Sequence, residues 1–216
     1  MTRLLAVRYF NACNFDRAAQ SKFGVVVCCT GVFSGYRASV VKSLLKEYIE
    51  QTWMGKPCTF GDDRHLTSMF LKLGYKVVYQ KTAIAHTYAP TSLKTWLKQQ
   101  LRWNRSFWRE NILMSKWMFK RSKVLSTFIL IDSLLPFIYI CFGLIPFFML
   151  ISSFGWIVIP PYIFAISIMA YIRNSKYWRR VNYYLIPMYA FLYSLLLLPI
   201  YIYALFTTDK TSWLTR

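Results

Sequence analysis

The hydrophobic pattern divides the chain into a mixed first half and a second half of long apolar runs. Residues 124–172 contain no lysine or arginine and a single acid, Asp132, and residues 183–206 carry no formal charge. A helix needs about 20 apolar residues to cross a bilayer, and runs of about 10–14 are what buried core helices use. The pattern therefore predicts three membrane helices, about 124–150, 154–172 and 183–206. The first two are turned through Ser152-Ser153, with Gly155 nearby.

The mixed half reads differently. Gly24–Cys29 is a short β-branched run ending at Thr30-Gly31, the pattern of a buried strand entering a loop. Ser39–Thr52 has helical spacing and is broken by Gly55-Lys-Pro57. A second helical stretch opens at Gly61-Asp-Asp-Arg-His-Leu-Thr67 and stops at Gly74, after which Tyr75–Gln80 reads as another strand. This order predicts an α/β unit with two or three strands, too few to close a nucleotide-binding sheet, so half of a domain. In Ser92–Glu110 the residues Lys94, Lys98, Arg102, Arg105 and Arg109 recur along one helical face, between Leu93, Trp96, Leu97, Leu101, Phe107 and Trp108.

Charge gives the two halves a side. The 216 residues carry 27 Lys+Arg against 8 Asp+Glu, a net charge of +19, with 56% hydrophobic residues. An ordinary soluble domain is less apolar and closer to charge balance, and a disordered polycation lacks 17 Phe, 16 Tyr and 8 Trp. Of the basic residues, 21 precede residue 124, and four more fall in the loop Arg173–Arg180. The excess of positive charge places both on the cytoplasmic face of the cell membrane. Tyr162, Tyr171, Tyr177, Trp178, Tyr183 and Tyr184 fit aromatic belts at the lipid boundary. Residues 1–25 have no uninterrupted apolar core and so no signal-peptide pattern. The basic stripe of 92–110 suits the lipid bilayer surface, and with a span about 20 residues away lipid is a nearer polyanion than nucleic acid. Cys13, Cys28, Cys29, Cys58 and Cys141 have no metal-ligand spacing, and four lie in the half assigned to the reducing cytosol. Cys28-Cys29 reads as strand packing.

Two places could do chemistry. Asp62-Asp63 opens a helix, where carboxylates are stabilised by the dipole, and either caps that helix or supplies a general base. Gln99-Gln-Leu-Arg-Trp103 combines an amide, a guanidinium suited to phosphate and an indole face suited to a sugar ring. His65 and His86 lack a third partner at metal spacing and read as structural, so no metal ligand is assigned in this chain.

Gly61-Asp-Asp-Arg-His-Leu-Thr67, then Gln99-Gln-Leu-Arg-Trp103 with Asn104-Arg-Ser-Phe-Trp-Arg-Glu110, resembles the C-terminal half of the family-2 processive membrane glycosyltransferases. It is most like hyaluronan synthases, next nodulation-type chitin-oligosaccharide synthases. Thr2-Arg-Leu, Arg8-Tyr, Arg17-Ala-Ala-Gln-Ser21, Cys29-Thr-Gly31 with Tyr36-Arg37, and Trp213-Leu-Thr-Arg216 extend the resemblance over the whole chain. It implies the C-terminal half of a GT-A type α/β domain, with Asp63 as the base that deprotonates the acceptor hydroxyl. Asp62, Arg64, Cys29, Thr30 and Gly31 would border the donor and acceptor. Gln99, Arg102 and Trp103 would form the Q-x-x-R-W set, and Trp213, Thr215 and Arg216 a tail closing over a UDP-sugar donor.

The implied organisation is a cytoplasmic catalytic part (1–91), amphipathic interface helices (92–123), a membrane region (124–206) guiding the growing polysaccharide, and a gating-like tail (207–216). Thr30-Gly31-Val32 stands where relatives have Ser-Gly-Pro, and Leu214 stands where hyaluronan synthases usually have glycine and chitin-type enzymes a bulkier residue. The resemblance places a metal-binding Asp-x-Asp upstream, and none occurs in these residues. Mg or Mn would then be bound by a missing N-terminal half, and the chain alone is not expected to bind UDP-sugar and metal normally. Alternatives are a chitin-oligosaccharide synthase using UDP-GlcNAc only, or a truncated non-catalytic membrane protein. Three spans from a cytoplasmic start would leave the tail outside, so a gate requires 183–206 to bend near Pro199 and re-enter.

Overall fold

The structure, a computed structural model, describes residues 2–174 and 185–213. The expected loop Arg173–Arg180 and the aromatic positions Tyr177, Trp178, Tyr183 and Tyr184 therefore fall wholly or largely outside the described residues, as do Thr215 and Arg216. The described chain is mostly helical.

Thr2–Asn11 (α1) and Ala18–Lys22 (α2) are joined by a π-helical turn, Ala12–Arg17. The β-branched run that follows is buried at Val25, Val26 and Val27. It meets the second expected strand at one point, a parallel bridge of Val25 with Val77. There Val26 N donates to Val77 O (3.1 Å) and Val77 N to Gly24 O (2.8 Å). The two expected strands are thus neighbours, but their pairing stops after one bridge. Parallel strands are stable when buried between further strands and helices, and here nothing else joins the ladder among the described residues.

Ala38–Ile49 (α3) leads into a hairpin of Thr52–Trp53 (β1) and Lys56–Pro57 (β2), paired antiparallel. Asp62–Leu73 (α4) is bounded by two left-handed glycines, Gly61 (φ 85°) and Gly74 (φ 92°). A residue with a β-carbon resists that conformation, so both helix ends are written in the sequence. Val25–Val27, Val40, Leu44, Leu66, Met69, Phe70, Leu71 and Val77 form the core beneath α3 and α4, and Met114, Met118, Leu125 and Ile129 extend it toward the apolar helices that follow.

Leu93–Ser115 (α5) is the spine of the molecule. Ser92 caps it by accepting from Thr95 N. After Met118–Arg121 (α6), Lys123–Tyr139 (α7) runs through a π turn at Ile140–Leu144 into Ile145–Phe154 (α8), then a 3-10 turn and Ile159–Asn174 (α9). Leu185–Leu192 (α10) and Leu198–Leu205 (α11) are separated by a π turn at Tyr193–Leu197.

Two helical stretches among the described residues are long and apolar enough to cross a membrane, Lys123–Ile172 and Pro187–Leu205. The first covers both of the first two expected spans. Helix α8 continues through Ser152-Ser153, and the break comes at Gly155 (φ 65°), because serine tolerates helical geometry and only glycine supplies the turn. Tyr162 lies inside this region: its ring stacks on Phe147 (3.9 Å between centroids) and its hydroxyl meets that of Tyr139 (3.2 Å), so α9 folds back on α8 and α7.

Helix α11 lies along α5. Trp108 Nε1 donates to Tyr201 O (3.0 Å), and the Tyr201 hydroxyl donates to Ser133 O on α7 (3.0 Å). Arg105 Nε donates to Thr207 Oγ1 (3.1 Å). The polypeptide between Ser122 and Thr207 thus leaves the α5 body and comes back to it. The wide turn at 193–197 sits immediately before Pro199, where a missing N–H interrupts the helical ladder.

Candidate active site

Asp63 occupies the first turn of α4, half-buried, while Asp62 beside it is exposed. Both Asp63 oxygens accept backbone N–H groups: Oδ1 from Arg64 N (2.8 Å) and Oδ2 from Gly31 N (3.3 Å). The first bond caps an orphan helical donor, and the second holds the Cys29-Thr30-Gly31 loop to the helix. One carboxylate therefore combines the capping role with a position facing the loop.

Thr67, one turn further along α4, completes the anchor. Its hydroxyl donates to Asp63 O (2.7 Å), accepts from Cys29 N (2.9 Å) and approaches the Tyr36 hydroxyl (3.5 Å). Thr30 accepts from Phe33 N, closing the loop as a turn. Thr67 carries no chemistry of its own and its function is invisible in spacing.

Cys28 lies 3.9 Å from Asp63 Oδ2. Burial, reinforced by the Asp63 charge, pushes its thiol up to about 12. Burial also raises the Cys29 thiol. Thiols held protonated are poor nucleophiles, consistent with packing. At pH 8 a shift from 9.0 to about 12 lowers the thiolate fraction about 10³-fold, so alkylation of Cys28 by iodoacetamide should be slower than that of an ordinary cysteine by about that factor. Peptide mapping after timed alkylation reads this directly, and labelling at an ordinary rate would contradict the burial.

Arg102 is half-buried, and burial pulls its guanidinium below the ordinary value against the opposing charges of Asp63 and Asp62. It therefore lies within the field of the acidic pair. Its Cζ sits 4.5 Å from the centroid of the Trp213 ring, a cation–π contact. Its buried Nε, together with Gln99 Oε1, makes no hydrogen bond to the described residues. A buried guanidinium nitrogen without a hydrogen bond to the described residues, within the field of an acidic pair, is a ready seat for a polar ligand.

Trp103 faces another way. Arg8 Cζ lies 5.4 Å from its ring centroid and Tyr9 meets it edge-on at 6.4 Å, so α1 packs on this indole. Arg64 also turns aside, donating to Asn111 Oδ1 (2.9 Å) with its Cζ 4.7 Å from the Phe107 ring centroid. The structure thus groups Asp62, Asp63, Cys29, Thr30, Gly31, Arg102 and Trp213, and sets Trp103 and Arg64 against neighbouring helices.

The basic stripe divides as well. Lys94 and Lys98 are exposed, Arg102 is half-buried, and Arg105 and Arg109 are buried at 5% and 3% exposure. Its C-terminal half cannot lie on a lipid surface, because Arg105 is held by the tail and Arg109 by Phe60 O (2.6 Å) and Glu110 Oε1 (3.0 Å). Helical spacing alone does not distinguish a solvated face from a buried polar seam.

The tail reaches the site along the hairpin. Trp53 Nε1 donates to Thr208 Oγ1 (3.3 Å), Lys56 pairs with Asp209 (3.6 Å), and the Thr59 hydroxyl donates to Thr211 O. These three hairpin-side residues were not legible as site residues in the sequence. Among the described residues no three His, Cys, Asp or Glu side chains gather as a metal site. The donor set of the described residues does not fit Mg or Mn, which the resemblance places on an upstream segment.

Residues 1–106 match the family described as "Glycosyltransferase like family 2". The whole chain is 36% identical over 222 residues to an N-acetylglucosaminyltransferase of Rhizobium sp. (strain N33), covering 48% of that protein. It is 35% identical over 217 residues to an N-acetylglucosaminyltransferase of Azorhizobium caulinodans, covering 55%. It is 37% identical over 229 residues to a hyaluronan synthase of Streptococcus pyogenes, covering 52%. The chain spans about half the length of the curated relatives it matches.

Proposed function

From a chain that carries family-2 glycosyltransferase sequence over residues 1–106 and is homologous along its whole length to N-acetylglucosaminyltransferases and hyaluronan synthases, we propose the C-terminal portion of a processive, inverting UDP-sugar polymerase. The observation that carries the reading is the convergence of three remote segments. The Asp63 carboxylate holds Gly31, its charge acts on Arg102, and Arg102 lies against Trp213 of the returning tail.

In this reading Asp63 accepts the proton of an acceptor hydroxyl as that oxygen bonds to the donor sugar C1. The C1–O bond to the diphosphate breaks on the opposite face, and UDP leaves with the bonding electrons. Arg102, whose Nε lacks a protein partner, receives charge developing on the leaving group. Trp213 covers that guanidinium and keeps water from the donor. Residues 1–91 are then the C-terminal part of a GT-A catalytic domain, and 92–123 join it to the membrane region.

The tail's return supports the gate. Arg105 on α5 holds Thr207, so the tail is anchored beside the catalytic part, and 187–205 runs through the π turn and Pro199 as one helical stretch without turning back. The catalytic part and the tail then share the cytoplasmic side, and the membrane helices form the exit for the polymer.

Hyaluronan from UDP-GlcNAc and UDP-GlcA is the favoured product. A chitin-type product from UDP-GlcNAc alone is the second reading, favoured by the similarity to N-acetylglucosaminyltransferases and by Leu214. The test is incorporation of labelled sugar in membranes holding the chain, alone and co-expressed with the N-terminal half of a relative. Polymer that requires both donors and is degraded by hyaluronidase supports the first reading. Oligomers made without UDP-GlcA support the second, and no incorporation under either condition overturns both.

A further inference from the structure

We propose that Arg109 and Glu110 are positioning residues for Asp63, a buried clamp that fixes the general base relative to Arg102. The proposal rests on the reading of Asp63 as that base. Neither residue reaches the reacting atoms; both act through the two flanks of the Asp62-Asp63 turn.

The geometry is bilateral. On the near flank Arg109 Nη2 donates to Phe60 O (2.6 Å), the carbonyl just before Gly61. On the far flank Glu110 Oε2 meets His65 Nδ1 (2.9 Å), two residues past Asp63. The clamp closes on itself through Arg109 Nε and Glu110 Oε1 (3.0 Å). A third arm, Gln51 Nε2 to Glu110 Oε1 (2.9 Å), fastens the start of the hairpin on which the tail docks. Glu110 is fully buried and Arg109 is 3% exposed.

A buried ion pair is a poor stabiliser, since well-packed apolar residues often do as well. What it supplies is a fixed geometry, because leaving either charge without its partners is costly. Here the paired groups lie on α5, the same helix that carries Arg102 two turns earlier. The helix therefore acts as a ruler between the base and the cationic residue. A displacement of about 1 Å at a reacting group can cost about 10²-fold in rate.

The test uses the full chain in detergent or membranes, with the volume-conserving substitutions Glu110→Gln and Arg109→Lys. Hydrogen exchange at residues 60–67 should quicken by about tenfold or more, with protection of α7 and α9 unchanged. In the active preparation turnover should fall about 10–100-fold with donor KM within about threefold, and the acid limb of the pH–rate profile should move. A merely smaller folded fraction would lower the rate without moving that limb. Gln51→Ala, which removes only the third arm, should give the same pattern at smaller amplitude and covers the case in which the core variants fail to fold. Glu47→Gln, at an exposed acid, should change nothing. Unchanged exchange at 60–67 in the variants overturns the clamp whether or not the chain is active. Quickened exchange in a chain that transfers no sugar even when co-expressed with the N-terminal half of a relative upholds the clamp and overturns the catalytic reading instead.

Discussion

In membranes holding the chain together with the N-terminal half of a relative, replacing Asp63 by asparagine is expected to lower sugar transfer by about 10²–10⁴-fold while leaving UDP binding largely intact, the span usual for loss of a general base. In the proposed reading the variant removes the proton acceptor, but it also changes the hydrogen-bond count. Both carboxylate oxygens accept from backbone, Arg64 N at 2.8 Å and Gly31 N at 3.3 Å. An asparagine has one acceptor oxygen and an amino group that repels the other donor. The shorter bond within the helix should keep the oxygen, leaving Gly31 released. Part of the loss could then come from a loosened loop, and Thr67→Val separates the two contributions. Valine keeps the volume of Thr67 but deletes the acceptor for Cys29 N, so it loosens the same loop with the base intact. If base loss dominates, Thr67→Val should cost about tenfold at most, on the scale of one hydrogen bond. Polymer made undiminished by Asp63→Asn would remove the base from position 63. Equal losses in the two variants would assign Asp63 to holding the loop.

Much of this arrangement is legible in the residues, and the illegible part has a common cause. Helix α4 could be bounded from the sequence because each end is a glycine forced to positive φ. The strands at Val25 and Val77 could be named because β-branched runs have few other uses, although nothing in the sequence says that their ladder is one bridge long. Asp63, Arg102 and Trp213 are nameable as a set only through resemblance, since they come from three elements far apart in the chain. The Trp53–Thr208 bond joins residues 155 positions apart and leaves no local trace. The basic stripe shows the same limit: its 3- and 4-residue spacing fixes which charges share a face, but not that Arg105 and Arg109 would be buried by a tail and a loop. The long apolar helices are legible as a class, because absence of charge is a long-range signal, while the fold-back at Gly155 depends on one residue's backbone freedom.

Substituting Gly61 by alanine tests the mechanical half of the site without any assay of transfer. Gly61 has φ 85°, which costs an alanine about 1–2 kcal/mol in backbone strain. Its Cα also faces α5 closely: an added β-carbon would run into the Ser106 hydroxyl, lie 2.7 Å from Ser106 Cβ and 2.8 Å from Arg109 Nη2. The hydroxyl could rotate, but Ser106 Cβ is fixed to the helix, so the turn or α5 must move. Overpacking of that kind costs about 1–3 kcal/mol. Together the expected destabilisation is about 2–5 kcal/mol, read as a fall in the denaturant midpoint of the purified chain. Adding Ser106→Gly should recover the packing part and leave the strain, plus about 1 kcal/mol lost to a glycine inside a helix. The double variant should therefore be more stable than the sum of the two single losses, a coupling of about 1–3 kcal/mol. Strict additivity would mean that the turn before Asp63 does not press on Ser106 of α5, leaving the Arg109 and Glu110 hydrogen bonds as the contacts between that helix and the turn.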